Sequence, residues 1–155
     1  MASQANRQET DREIIVSRRF NAPRKMVFDA WTTPERLAQW WGPRGWRTTT
    51  SDMTFAPGGI WRFIMHSPNG EDIRCRIVYR EIQPPARIEY IQSGFDPAGL
   101  DYQTTVTFEE IEGQTEVTFH ATWSTKELRD QAVEMVGWRD GARETLDRLA
   151  NTLGE

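Results

Sequence analysis

The last part of the chain carries apolar side chains at a helical spacing. Between residues 124 and 153 apolar positions recur every three or four residues, which places them along one side of a helix. They are Leu128, Ala132, Met135, Trp138, Ala142, Leu146, Leu149 and Leu153. Ser124 with Glu127 three places on predicts a capping-box start. We therefore expect a long C-terminal helix with one apolar face.

The length of this helix makes its two glycines important. A straight helix over residues 125–152 would measure about 42 Å, far beyond the average helix length. Gly137 and Gly141 fall in its middle, and each costs roughly 1 kcal/mol relative to alanine. The sequence leaves open whether the helix is straight, bent or broken at these glycines.

From residue 45 to residue 123 the apolar positions alternate instead, as in strands with one buried face. Alternation and turn residues predict six strands, over residues 46–53, 60–66, 71–82, 87–93, 101–111 and 115–123. Short turns such as Asn69-Gly70 join neighbouring strands, whereas residues 94–99 form a looser segment. This arrangement predicts an antiparallel meander whose other face is polar and meets water.

The front of the chain predicts one more strand and two short helices. Residues 13–21 are rich in β-branched side chains and end at Pro23, and Asn21 is a possible cap for a helix over 24–31. Thr33 and Pro34 start a second short helix, which Gly42-Pro43 ends.

These elements predict an α+β fold in which a curved antiparallel sheet wraps around the long C-terminal helix. The order is one strand, two short helices, six strands and one long helix. We expect one domain over residues 13–155, preceded by a disordered polar tail over residues 1–12.

Composition indicates which cellular compartment and which classes of partner to expect. The net charge is −4 and the sequence has no basic run, so nucleic acid is not an expected partner. Cys75 is the single cysteine, which excludes an intramolecular disulfide and favours a reducing compartment. No stretch has the length and apolar character of a membrane span or a signal peptide. We expect a cytoplasmic protein that does not bind membranes.

Few residues have the spacing that catalysis needs. His66 and His120 lie on the predicted polar face without metal-ligand spacing, and Cys75 is expected to be an inert buried thiol. Tyr90 and Tyr102 fall on the apolar face, where no carboxylate or histidine joins them as a base. We therefore predict no catalytic residue, no metal and no cofactor.

Two residue groups have more than one interpretation. The seven Trp and seven Phe residues form either a plain aromatic core or the wall of an apolar pocket. A cluster of arginines on the predicted outer sheet face is either solvated or an interaction surface. These arginines are Arg62, Arg74, Arg76 and Arg80.

Several local patterns together resemble one known family. The patterns are RFNAP (19–23) with VFDAW (27–31), TPE (33–35) with WWGP (40–43), PGG (57–59) with PNG (68–70), and YREIQPP (79–85) with GW (137–138). The chain resembles the helix-grip proteins of the START-like (SRPBCC) superfamily, and within it the homologues of the heat-shock-protein ATPase activator C-terminal domain.

This resemblance implies an apolar cavity between the sheet and the long helix, which binds a hydrophobic or aromatic small molecule. The expected ligand-binding residues are Trp40, Trp41, Trp61, Phe63, Met65, Ile77, Tyr90, Tyr102, Val106, Phe119, Met135 and Trp138. Two alternatives stay open. One is a cochaperone-like module that stimulates a heat-shock-protein ATPase, with a chaperone or a second copy as its partner. The other is a cyclase or dehydratase in which Tyr90 or Tyr102 is the acid.

Overall fold

A computed structural model describes residues 9–93 and 101–154, so the predicted looser segment at 94–99 lies outside the described residues. Seven strands form a single antiparallel sheet in the order β1-β7-β6-β5-β4-β3-β2. They are β1 (Glu13–Phe20), β2 (Arg47–Met53), β3 (Ile60–His66), β4 (Asp72–Gln83), β5 (Arg87–Ser93), β6 (Tyr102–Ile111) and β7 (Gln114–Thr122). The six later strands form the predicted meander, and β1 pairs with β7 at the far edge. The predicted α+β architecture is therefore confirmed.

Two short helices connect β1 to β2. Helix α2 (Pro34–Leu37) begins as predicted, because the Arg36 N–H donates to the Thr33 hydroxyl at 3.3 Å. Helix α1 (Arg24–Asp29) follows Pro23 and has no side-chain cap, so the predicted Asn21 cap is wrong.

The C-terminal helix is broken rather than straight. Helix α3 (Lys126–Gln131) runs into a π-helical turn (Ala132–Val136), and helix α4 (Trp138–Thr152) follows. Gly137 separates them with φ +66 and ψ +40, a left-handed conformation that favours glycine. Thr125, not Ser124, caps α3, because the Leu128 N–H donates to the Thr125 hydroxyl at 3.1 Å. The predicted capping box of Ser124 and Glu127 is therefore wrong, and a single hydroxyl cap one residue later takes its place.

Aromatic rings fill much of the space between the sheet and the helices. Trp31 makes edge-to-face contacts with Trp40 at 4.7 Å and with Phe119 at 5.6 Å between ring centroids. Trp61 stacks on Phe63 at 3.9 Å, and both rings are 1% exposed. Such pairs stabilise a core beyond the burial of their area. Most of the aromatic residues therefore serve packing, which is the plainer of the two interpretations.

The residues just before β1 are attached to the fold. Both oxygens of Glu9 accept hydrogen bonds at 2.9 Å from the guanidinium of Arg139 in α4, and a third comes from the Ile15 N–H. The Arg139 hydrogen bond is the main reason that the pKa of Glu9 is lowered. The predicted disordered tail therefore does not extend to Glu9.

A buried carboxylate on the edge strand β1 bonds a histidine on its neighbour β7. The Glu13 carboxylate bonds the His120 ring, and Glu13 is 5% exposed. Burial by itself would raise the pKa of Glu13, but hydrogen bonds from Thr10 and His120 outweigh it and lower the pKa to about 2. His120 is thus paired rather than fully solvated.

Replacing Gly137 tests the helix break. We expect Gly137→Ala to lower the free energy of unfolding by about 1 kcal/mol, because alanine is disfavoured in the left-handed region. Gly137→Asn should lower the free energy of unfolding by a smaller amount, since asparagine adopts this conformation more readily. Chemical denaturation measures both. Equal stability of the alanine variant and the parent would show that the break is not required.

The Glu13 pair predicts a pH dependence. Because its folded-state pKa is lowered, the pair stabilises the fold above about pH 4.5 and ceases to do so as the pH falls toward 2. Glu13→Gln should therefore cost about 1–3 kcal/mol at neutral pH and almost nothing near pH 2. Denaturation at several pH values measures this, with the exposed Glu110→Gln as the control. A difference that does not change with pH would contradict the prediction.

Candidate functional site

An apolar pocket opens beside the first turns of α4. Its volume is about 300 Å³, and it lies between α4, the loop after α2 and the inner face of the sheet. We call it the α4 pocket. It is lined by Trp41, Gly42, Pro43, Trp46, Met65, Ile73, Tyr90, Gln92, Tyr102, Phe119, Val136, Gly137, Trp138, Asp140, Gly141, Ala142, Glu144 and Thr145.

The helix break places an aromatic ring at one side of this pocket. Trp138 is the first residue after Gly137, and its ring meets Tyr102 edge-to-face at 5.7 Å and Trp123 at 5.5 Å. Trp41 lies on the opposite side and packs on Trp61 at 5.1 Å. Two indole rings, held by other rings, therefore face the same space.

The polar atoms at the base of the pocket are few and well ordered. The Tyr102 hydroxyl donates to Gln92 Oε1 at 2.9 Å, as expected for residues directly opposite each other on β6 and β5. Burial raises the pKa of Tyr102 and that of Tyr90 well above the ordinary range. Both hydroxyls therefore keep their protons and can orient a ligand by hydrogen bonding.

Two carboxylates lie at the rim, where none was predicted. Asp140 and Glu144 belong to α4 and line the pocket. Glu144 accepts a hydrogen bond at 3.0 Å from the Arg44 N–H, while the Asp140 side chain is 82% exposed. Trp138 and Ala142 of the predicted apolar stripe line the pocket, and the two carboxylates join them from the neighbouring side of α4.

The structure brings together half of the predicted ligand-binding residues. Those that line the α4 pocket are Trp41, Met65, Tyr90, Tyr102, Phe119 and Trp138. Those buried in the core away from it are Trp61, Phe63, Ile77 and Val106.

The remaining two predicted residues are corrected by local geometry. Trp40 points away from the α4 pocket, and its indole N–H donates to the Ala30 carbonyl at 3.1 Å. Met135 is 64% exposed because the π-helical turn directs it outward. The rest of the stripe keeps its predicted side, because Ala142, Leu146 and Leu149 are buried after the π-helical turn.

Sequence reasoning missed the contribution of the loop after α2. Gly42, Pro43 and Trp46 all line the pocket, although only the preceding tryptophans had been considered as ligand contacts. The Arg148 guanidinium holds this loop on α4. Its Nη1 donates to the carbonyls of Gly42, Pro43 and Trp46 at 3.0, 3.1 and 3.0 Å. Burial lowers the pKa of Arg148, so the pocket mouth is fixed by one desolvated cation.

The other candidate reactive groups lie outside the pocket. Burial raises the pKa of the Cys75 thiol to about 12, as expected for an inert thiol. The His66 ring bonds Asp72 at 2.7 Å and Thr49 at 2.9 Å on the outer side of the sheet. Residues 9–93 and 101–154 contain no group of three metal-ligating side chains. Within the same ranges no helix is both long enough and apolar enough to cross a bilayer.

Comparisons with known proteins give a family and a fold. The sequence matches the family described as Activator of Hsp90 ATPase homolog 1-like protein over residues 21–154. A solved structure from Arthrobacter aurescens has a TM-score of 0.87 and 26% identity, over 94% of this chain and 89% of that chain. One from Staphylococcus epidermidis has a TM-score of 0.80 and 30% identity, over 96% of this chain and 94% of that chain.

A more distant structure shows how widely the fold extends. The AHSA1 protein from Silicibacter pomeroyi has a TM-score of 0.70 and 20% identity, over 91% of this chain and 96% of that chain. No curated protein matches the sequence. The comparisons confirm the predicted helix-grip fold and name no ligand.

Arg148 provides a test of the pocket mouth. We expect Arg148→Met to lower the free energy of unfolding by about 1–3 kcal/mol, because three carbonyls lose their donor. Amide hydrogen exchange of the loop after α2 should accelerate. Arg143→Met, on the exposed side of the same helix, is the control and should change neither the free energy of unfolding nor the exchange rate of the loop. Unchanged exchange in the Arg148 variant would show that packing alone holds the loop.

Proposed function

Since this chain belongs to the family of Activator of Hsp90 ATPase homolog 1-like proteins, we propose that it binds a small apolar or aromatic molecule in the α4 pocket. The observation that carries the proposal is the buried Tyr102–Gln92 hydrogen bond in the wall of a largely apolar pocket. A concave apolar site with a few placed polar groups is the usual form of a small-molecule site.

The pocket also indicates what kind of ligand fits. At about 300 Å³ it is at the small end of ligand pockets, which favours a molecule of one or two rings. Because the Tyr102 proton is donated to Gln92 Oε1, the Gln92 amide N–H groups are the donors left for a hydroxyl, carbonyl or amide group of a ligand. The carboxylates of Asp140 and Glu144 at the rim disfavour an anion. We therefore propose a neutral or cationic aromatic ligand that carries one polar group.

Binding is better supported than catalysis. A general acid needs a pKa near the working pH, whereas burial moves Tyr90 and Tyr102 away from it. Asp140 is exposed at the rim, and Glu144 is held by the Arg44 N–H. For the cyclase or dehydratase alternative, the pKa of both candidate tyrosine acids is therefore too high, and neither carboxylate is positioned beside them as a base.

A second candidate function comes from the family itself. Its description names activation of the Hsp90 ATPase, so this chain can be a cochaperone that acts through its surface. A heat-shock-protein ATPase assay with the purified chain tests this candidate, and an unchanged rate at saturating concentration would exclude it for that chaperone. The buried free Cys75 supports a cytoplasmic location for either function.

Native mass spectrometry of the freshly purified protein tests ligand binding. We expect an added mass of a few hundred daltons that is lost on denaturation, and that mass identifies the ligand. The same spectrum distinguishes monomer from dimer. If only the bare chain is found, titration with one-ring and two-ring aromatic amides and alcohols follows. Absence of saturable binding in that titration would contradict the proposal.

A variant that fills the pocket tests whether the ligand binds there. Ala142 is 8% exposed and lines the pocket, so Ala142→Leu adds three carbons to the site. We expect at least about tenfold weaker binding of the identified or titrated ligand, equivalent to about 1.4 kcal/mol. Ala38→Leu makes the same change on the exposed end of α2 and should leave affinity unaltered. Equal affinity of both variants would place the ligand elsewhere.

A further inference from the structure

Four arginines on the outer side of the sheet have no ion pair within the described part of the chain. Arg47 lies on β2, and Arg74, Arg76 and Arg80 lie on β4 with exposed side chains. Most other described arginines bond a carboxylate or a carbonyl. Arg76 also lies directly opposite Arg62 on β3, and like charges at such positions destabilise a sheet. Folding stability therefore does not explain this cluster.

An apolar row crosses the same face beside the arginines, which corrects the expectation of a wholly polar outer face. Ile60 of β3 pairs with Val78 of β4, and Val78 pairs with Ile91 of β5. All three side chains are partly exposed. With neighbouring strands about 4.8 Å apart, the row is about 10 Å long. Arg76 and Arg80 flank Val78 along β4: Arg76 is about 7 Å away at 3.4 Å per residue, and Arg80 lies at the β-bulge between Tyr79 and Glu81.

We propose that this outer face, centred on Val78, docks an acidic amphipathic helix of a protein partner. Apolar residues at i, i+4 and i+7 of a helix span about 10 Å, which matches the length of the row. Glutamate or aspartate beside that stripe would pair with Arg76 and Arg80, and arginine binds carboxylates in a bidentate manner. An apolar centre with a charged rim is the common anatomy of protein interfaces. The face lies on the opposite side of the sheet from the α4 pocket.

Other occupants fit less well. A symmetric dimer through this face would bring two copies of the same arginines together, and the like charges would repel. A nucleic acid would pair with the arginines but leave the apolar Ile60–Val78–Ile91 row uncovered.

A designed peptide tests the proposal directly. The probe is a fluorescein-labelled helical peptide with leucine at i, i+4, i+7 and i+11, glutamate on both flanks and alanine elsewhere. Fluorescence anisotropy with the full chain should show saturable binding. Arg76→Glu should weaken binding by about tenfold or more because a pairing charge is reversed. The same change should raise the melting temperature by about 1–4 °C, since opposite charges then face each other across β3 and β4.

Two further variants separate docking from general charge effects. Arg24→Glu, on α1, changes the net charge by the same amount as Arg76→Glu, and Arg24 also forms no ion pair among the described residues. It should leave the affinity for the peptide within about twofold of the parent's. Val78→Thr keeps every charge and the β-branched shape, and it should weaken binding several-fold. The proposal is overturned if no binding occurs at about 1 mM peptide, or if Arg24→Glu and Arg76→Glu weaken binding equally. Two further probes are a peptide in which lysine replaces each glutamate, and oligothymidine. The proposal is also overturned if either of them binds as tightly as the acidic peptide.

Discussion

An apolar inner sheet face has to be covered, and the C-terminal segment covers it in two pieces joined at one left-handed residue. Gly137 ends the π-helical turn and lets α4 begin with Trp138 against Tyr102 and Trp123. The volume between this first turn and the loop after α2 is the α4 pocket. Val136, Gly137 and Trp138 line the pocket together at this break, and Ala142 and Thr145 line it from the next two turns of α4.

Polar contacts then hold the two ends of α4 in place. Glu9 bonds Arg139 in the first turn, and Arg148 bonds three loop carbonyls closer to the C-terminus. Hydrogen bonds with one charged partner are stronger than neutral ones, particularly where water is excluded. The aromatic core supplies most of the burial, whereas these charged contacts join α4 to the residues before β1 and to the loop after α2.

The two faces of the sheet have different chemistry and support different interactions. The inner face combines aromatic rings with the Tyr102–Gln92 pair, which suits a small ligand. The outer face combines the Val78 row with Arg74, Arg76 and Arg80, which have no carboxylate partner among the described residues. Since alternate residues of one strand point to opposite faces, β4 contributes different side chains to each surface.

The sequence by itself determined the elements, their order and the family, because period 2, period 3.6 and turn residues are local properties of the chain. It also identified six residues of the pocket: Met65, Tyr90, Tyr102 and Phe119 by strand alternation, and Trp41 and Trp138 by helical spacing. Only the tertiary structure decided that Trp40, Trp61 and Met135 lie elsewhere, and that Trp46 and Glu144 line the pocket. The physical reason is that packing partners distant in sequence, and one extra residue in a π-helical turn, leave no periodic signal.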